Sequence, residues 1–218
     1  MITKESDSFS NDNSRERAGK ERAIFVKILT SERLRLRQIT GRDFSAIAAM
    51  DSDPSVMRYL CLKTPVPSYE QALEEAHNML ELRAPSGGGV WAITCRTTQT
   101  FFGWVWVVFL GDDPYIDLGY RLASRFWGRG YATEASQQVV HHAFLDLGIP
   151  DLTALIHPLN FASVRVAEKV GLALTGTVET FGAALDRYAV SRARYIGSVS
   201  CEGMSVVSGL GGMPPKDR

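Results

Sequence analysis

Cysteine is scarce in this chain: among 218 residues only Cys61, Cys95 and Cys201 occur, widely spaced and odd in number. That argues against a disulfide framework and against the paired spacings of a structural zinc site, and it points to a reducing compartment. Cys, His and acidic residues do not cluster, so no metal is expected. Long hydrophobic runs are missing too. None approaches the roughly 20 residues needed to cross a bilayer, and the N-terminus carries no apolar segment of the signal-peptide kind. Neither sign of charge is in excess, since Lys+Arg and Asp+Glu number 24 each. The balance argues against a nucleic-acid coat or a basic membrane binder. Together these absences lead to the expectation of a cytoplasmic protein that has neither membrane nor nucleic acid as a partner.

What is present is enough for a substantial core. Hydrophobic residues make up 45% of the chain, and the length suits one domain with tails. Residues 1–24 are dominated by Ser, Asn, Lys, Glu and Arg, a composition that predicts a disordered N-terminal tail. Residues 196–218 are rich in Gly and Ser and close on Pro214-Pro215, which predicts a flexible C-terminal tail. The working domain is therefore 25–195, and it contains no internal repeat.

Within that domain the secondary-structure signals alternate. Leu34-Arg35-Leu36-Arg37 has the period of a half-buried strand. Thr40 with Asp43, and Ser68 with Gln71, are capping-box-like starts. The first opens a helix faced by Phe44, Ile47 and Ala48. The second opens one striped by Ala72, Leu73, Ala76, Met79 and Leu80, ending before Pro85. Residues 90–94, 101–109 and 115–122 read as three strands of an antiparallel meander. The middle strand is apolar on both faces and belongs inside the sheet; its Trp104 and Trp106 read as core, a ligand role being the alternative. Ala132, Ala135, Val139, Ala143 and Leu147 recur at helical spacing until Gly148 and Pro150. A short strand at 152–156 and a helix at 161–170, N-capped by Asn160, follow. This order predicts an α/β (α+β) layout with a mixed, mostly antiparallel sheet.

The most informative stretch is Trp127-Gly128-Arg129-Gly130-Tyr131-Ala132-Thr133. Two glycines one residue apart permit a tight loop and a close approach to backbone. A helix starting there aims unpaired N–H groups and its positive dipole end at the loop, which suits a phosphate or pyrophosphate. The Lys-Ser/Thr that ends a P-loop is missing, which argues against ATP.

The run from Asp117-Leu118-Gly119-Tyr120 through Phe126 to Ala135 resembles the acetyl-CoA motif of GNAT-fold N-acetyltransferases. Asn160-Phe161-Ala162-Ser163-Val164-Arg165-Val166-Ala167 and the residues up to Leu172 resemble the family's second signature. Thr30-Ser31-Glu32-Arg33-Leu34-Arg35-Leu36-Arg37 resembles the first strand of its RimJ/RimL-like branch. The resemblance implies a sheet with helices on both faces, splayed between the strand before the glycine loop and the strand after its helix. Acetyl-CoA would lie in that gap as the acetyl donor, its pantetheine arm bonding to exposed main chain much as an added strand would. Implied contacts are Leu118, Gly119 and Tyr120 on the strand and Trp127, Gly128, Arg129, Gly130, Tyr131, Ala132 and Thr133 at the loop. Trp127 replaces the usual Gln or Arg. Asn160 would bond the pantetheine arm and Ser163 would sit near the thioester sulfur.

The implied activity is transfer of an acetyl group to a primary amine by direct attack, the acceptor being a protein N-terminus or a small molecule. An amine must lose a proton before it attacks, so a base or a water relay is needed. Asp117 stands where relatives often carry Glu; its other reading is an exposed strand carboxylate. Ala167 stands where many relatives carry Tyr, which leaves Ser163 as the candidate donor to the leaving thiolate; a helix-face serine is the alternative. RimL-like enzymes use an acid at the position of Gly182 here, and nearby Glu179 is the candidate substitute. Asp186 reads as a turn residue, and His141, His142 and His157 as structural. Dimers are frequent in the family, so a homodimer stays open, though no residue specifies one. A non-catalytic acyl-CoA-binding module of the same fold is the alternative function.

Overall fold

The structure, a computed structural model, describes residues 27–60, 65–78, 82, 84–110 and 115–205, the last six as backbone only. Met79, Leu80, Cys61, residues 111–114 and most of both expected tails lie outside the described residues. The strands are β1 Leu29–Thr30, β2 Leu34–Gln38, β3 Gly89–Cys95, β4 Phe101–Phe109, β5 Ile116–Leu122, β6 Asp151–Ile156, β7 Ala173–Thr180 and β8 Ala183–Ser191. The helices are α1 Phe44–Asp51, α2 Pro54–Met57, α3 Tyr69–Asn78, α4 Tyr131–His141, α5 Phe161–Lys169 and α6 Arg192–Ser205. The strands form one sheet in the order β1-β2-β3-β4-β5-β6-β8-β7.

The expected meander is present, β3, β4 and β5 pairing antiparallel in sequence order. β4 feeds both faces of the sheet because its residues are apolar on both. Val105 and Val107 join the cluster under α4 and α5, whereas Trp104 and Val108 join the cluster under α1 and α3. Burial on two sides explains why this strand shows no hydrophobic alternation.

One junction departs from the antiparallel pattern. β5 and β6 run parallel, and their pairing reduces to Asp117 opposite Thr153. Beyond that point the two strands separate, while β6 keeps a full antiparallel partner in β8 from Asp151 to Ile156. The sheet therefore has an open seam in its middle.

Two sequence expectations change. Asp186 lies inside β8, opposite Ile156, with its Oδ1 accepting from the Thr177 hydroxyl at 3.1 Å. Its place is a cross-strand pair rather than a turn. The chain after Ile196, assigned to a loose tail, continues as α6 to Ser205. Gly and Ser are weak helix formers, but tertiary contacts override the propensity. Arg192 donates from Nε to the Phe144 carbonyl at 2.7 Å, and the Tyr195 ring sits 5.0 Å from that of Phe144.

Candidate active site

The open seam leads into a cavity of about 1110 Å³. β5 forms one wall, residues 154–157 the opposite wall, α5 one flank, and α2 with Arg58 and Tyr59 the other. The glycine loop and the first turn of α4 close one end through Trp127, Gly128, Gly130, Tyr131, Ala132 and Thr133.

The loop owes its shape to local chemistry. Ala123 leads into a single 3₁₀ turn over Ser124–Phe126, and the Trp127 indole N–H is fixed on the Leu122 carbonyl at 2.8 Å. Gly128 and Gly130 then take φ of 73° and 79°, left-handed values that side-chain-bearing residues avoid. Gly130 immediately precedes α4, and the Glu134 N–H is the one that bonds back to its carbonyl. The N–H groups of the first turn before it are left to face the cavity end, where an anion fits.

A side-chain clasp holds this loop from behind. Glu134, in the first turn of α4, accepts from the Ser31 hydroxyl at 2.7 Å, from the Arg33 main chain at 3.0 Å and from Arg33 Nε at 2.7 Å. Arg33 also donates to the Arg129 carbonyl at 3.0 Å and lies 4.6 Å above the Tyr131 ring. Burial pushes the Glu134 carboxyl up, but the donors from Ser31 and Arg33 outweigh it and hold the group below its usual range. The sequence showed Arg33 as a strand residue only; its pairing across the fold carried no local signal.

At the seam, Asp117 is 4% exposed and lines the cavity. It accepts from the Trp106 indole N–H at 2.7 Å. Burial pushes its carboxyl up to about 7, against the pull of the indole and of the Leu155 main chain. It is therefore a buried group titrating near neutrality, rather than an exposed strand carboxylate. Across the cavity, the Ser163 hydroxyl lies 3.1 Å from the Tyr120 hydroxyl. Burial raises the Tyr120 phenol above its usual range, with Ser163 opposing, so the phenol keeps its proton. Asn160 lines the cavity and caps α5, its Oδ1 accepting the Ser163 N–H at 3.2 Å.

Other expected contacts fall differently. Leu118 is buried in the core beneath α4 and α5, and it meets the cavity beside Gly119 and Tyr120 on the same strand. The Arg129 side chain is exposed and absent from the lining. Glu179 is an exposed residue of β7, paired with Ala184, and is not brought to Asp117 and Ser163. Phe181, in the turn beside Gly182, lines the cavity instead and is 68% exposed. His142 is buried, its Nδ1 2.7 Å from Asp146 and its ring edge-on to Trp91, a structural role as expected. His157, by contrast, lines the cavity and stacks on Tyr59 at 5.3 Å. Sequence gave no sign of the parts played by Trp106, Tyr59 and the Tyr120 hydroxyl. Among the described residues, no group of three or more Cys, His, Asp or Glu is placed to hold a metal, and no helix is long and apolar enough to cross a membrane.

A mixed eight-stranded sheet, helices on both sides and a seam ending at a glycine loop define a GNAT-type acyltransferase fold. The chain belongs to that family: residues 33–173 match the acetyltransferase (GNAT) domain, whose members use acetyl-CoA. It is 32% identical to the uncharacterized N-acetyltransferase YoaA of Bacillus subtilis (strain 168), an alignment covering 71% of this chain and 87% of that protein. The crystal structure of the acetyltransferase from Agrobacterium tumefaciens str. C58 is 27% identical with a TM-score of 0.63, covering 79% of this chain and 99% of that one. The spermidine N-acetyltransferase of Vibrio cholerae, solved with CoA and spermine, shares the fold at 17% identity and a TM-score of 0.63, over 76% and 99% of the chains.

Proposed function

We propose that this protein is an acetyl-CoA-dependent N-acetyltransferase of the RimJ/RimL-like branch, acting on a primary amine by direct attack. The observation that carries the reading is the meeting of three parts in one cavity: the glycine loop, the buried Asp117 carboxylate and the Tyr120–Ser163 hydroxyl pair. The loop N–H groups at Gly128–Ala132 hold the pyrophosphate. Main chain of residues 118–120 and Asn160 line the path of the pantetheine arm.

Asp117 takes the proton from the acceptor ammonium, and a base titrating near 7 is suited to this near neutral pH. The amine nitrogen then forms its bond to the acetyl carbon, and the carbon–sulfur bond breaks. The Tyr120–Ser163 pair gives a proton to the departing thiolate and takes up the second proton that the nitrogen sheds as it becomes an amide, while Asp117 passes its own proton to solvent. Glu179 is too exposed to share the step with Asp117 and is left without a catalytic part. The acceptor is a protein N-terminal amine or a small amine, and the setting is the cytoplasm.

The test is thiol release from acetyl-CoA across a panel of amines and N-terminal peptides. Turnover on at least one acceptor supports the enzyme. Tight CoA binding without turnover on any of them selects the alternative, an acyl-CoA-binding module. That second reading draws on Ala167, which occupies the position of the family's usual tyrosine.

A further inference from the structure

Trp104 and Trp106 share the apolar strand β4, and the pattern assigns both to the core. Trp104 obeys at 6% exposure. Trp106, half-buried, packs against the same core cluster and also lines the cavity. Its position is set across two strands, because in the β4–β5 pair Trp106 stands opposite Gly119. A Cβ on Gly119 would lie 1.9 Å from Cζ2 of the indole, so the ring rests on bare backbone that only glycine provides. Trp104 backs it, with ring centroids 4.6 Å apart. Held in this pose, the indole directs its N–H to Asp117 Oδ2 at 2.7 Å. The indole N–H groups of Trp91 and Trp127 go to main-chain carbonyls, those of Lys27 and Leu122.

We propose that Trp106 is a positioning residue for acetyl transfer: seated on Gly119, it fixes one oxygen of Asp117 and so orients the carboxylate toward the acceptor amine. The proposal rests on the reading of Asp117 as the base. A hydrogen bond to a carboxylate favours its ionised form. The influences on Asp117 are burial first, then the indole and the Leu155 main chain. Thr153 faces it from β6. The titratable groups that line the same cavity are Arg58 and Tyr59 from the α2 side, Tyr120 and Arg121 from β5, Tyr131 from α4, His157 after β6, and Arg165 and Lys169 from α5. Without the indole N–H, burial is opposed by one fewer donor and the carboxylate takes up its proton at higher pH.

The experiment has two arms on the full chain. Nitrogen-15 spectra of the wild type, recorded without acceptor, follow its four indole N–H resonances through the neutral range. One should titrate with a midpoint near 7 and stop titrating in Asp117→Asn. In the second arm, Trp106→Phe keeps a ring and removes the N–H. Its kcat/KM profile for the amine should move up by roughly one to two pH units, with the Kd for acetyl-CoA unchanged. Four silent indoles in the wild type, or an unshifted profile in Trp106→Phe, overturn the proposal, and the first result needs no variant to fold. Full turnover by Asp117→Asn alongside a titrating indole overturns the base assignment itself, a different failure.

Discussion

The Tyr120–Ser163 contact changes the meaning of Ala167. The phenol that many relatives carry on the helix after Asn160 is absent there, yet a phenol reaches Ser163 from β5, on the other wall of the cavity. Burial keeps that phenol protonated, so under the proposed function the pair is the donor to the thiolate. Ser163→Ala and Tyr120→Phe should each lower kcat by roughly 100-fold or more, with the Kd for acetyl-CoA unchanged. Equal losses in Kd with normal kcat would make the pair a binding contact instead. Asp117 supports a second prediction, on stability. Its folded-state value of about 7 lies above the ordinary 3.8, so the folded state holds the proton more tightly than the unfolded chain. That contribution is full below the ordinary value and is lost as pH rises through 7. Asp117→Asn can still accept the indole N–H. It should therefore unfold at higher urea than wild type above pH 7 and at nearly the same urea in acid, while losing turnover. A urea difference that does not change with pH would remove burial as the cause of the shift.

Elements were readable from sequence where one segment's own chemistry decides them. The β4 run, the Thr40 and Ser68 starts, the glycines before α4 and the Asn160 cap all act within a few residues, and each appears where expected. What joins elements was not readable. The clasp between Arg33 and Glu134 spans 101 positions, and Trp106 meets Gly119 only through the β4–β5 register. The clasp ties the turn between β1 and β2 to the first turn of α4, and hence to the loop that ends the cavity. Arg33→Ala should destabilise the fold by about 1–2 kcal/mol, an allowance that discounts the 45% exposure of the Arg33 side chain. More tellingly, it should raise the KM for acetyl-CoA several-fold and leave kcat in place, because it loosens the cradle and not the chemistry. A fall in kcat with normal acetyl-CoA affinity would show that the clasp does not shape the cradle.

The whole molecule is a sheet with a core on each side and a fault along its middle. Sequence conveyed the layers, since strand and helix periods alternate along the chain, and the family resemblance supplied the fault. Composition misled at α6, where a Gly- and Ser-rich segment is helical because Arg192 and Tyr195 find partners on Phe144. The fault has a thermodynamic consequence. β5 and β6 are joined at Asp117 opposite Thr153 and then part, so their facing edges carry main-chain groups that lack a ladder partner in each other. A ligand whose arm runs along the seam supplies those partners and links the two halves of the sheet. Acetyl-CoA at one hundred times its Kd should then raise stability by about 2.7 kcal/mol, a rise in Tm of roughly 5–10 °C for a domain of this size. Amide hydrogen exchange should slow at residues 118–122 and 154–156 as well as at the glycine loop. ATP offers phosphates to the loop but no arm to the seam, so it should protect the loop alone and shift Tm far less. Equal stabilisation by ATP, with the seam amides still exchanging freely, would make the glycine loop a general anion site and the seam an incidental gap.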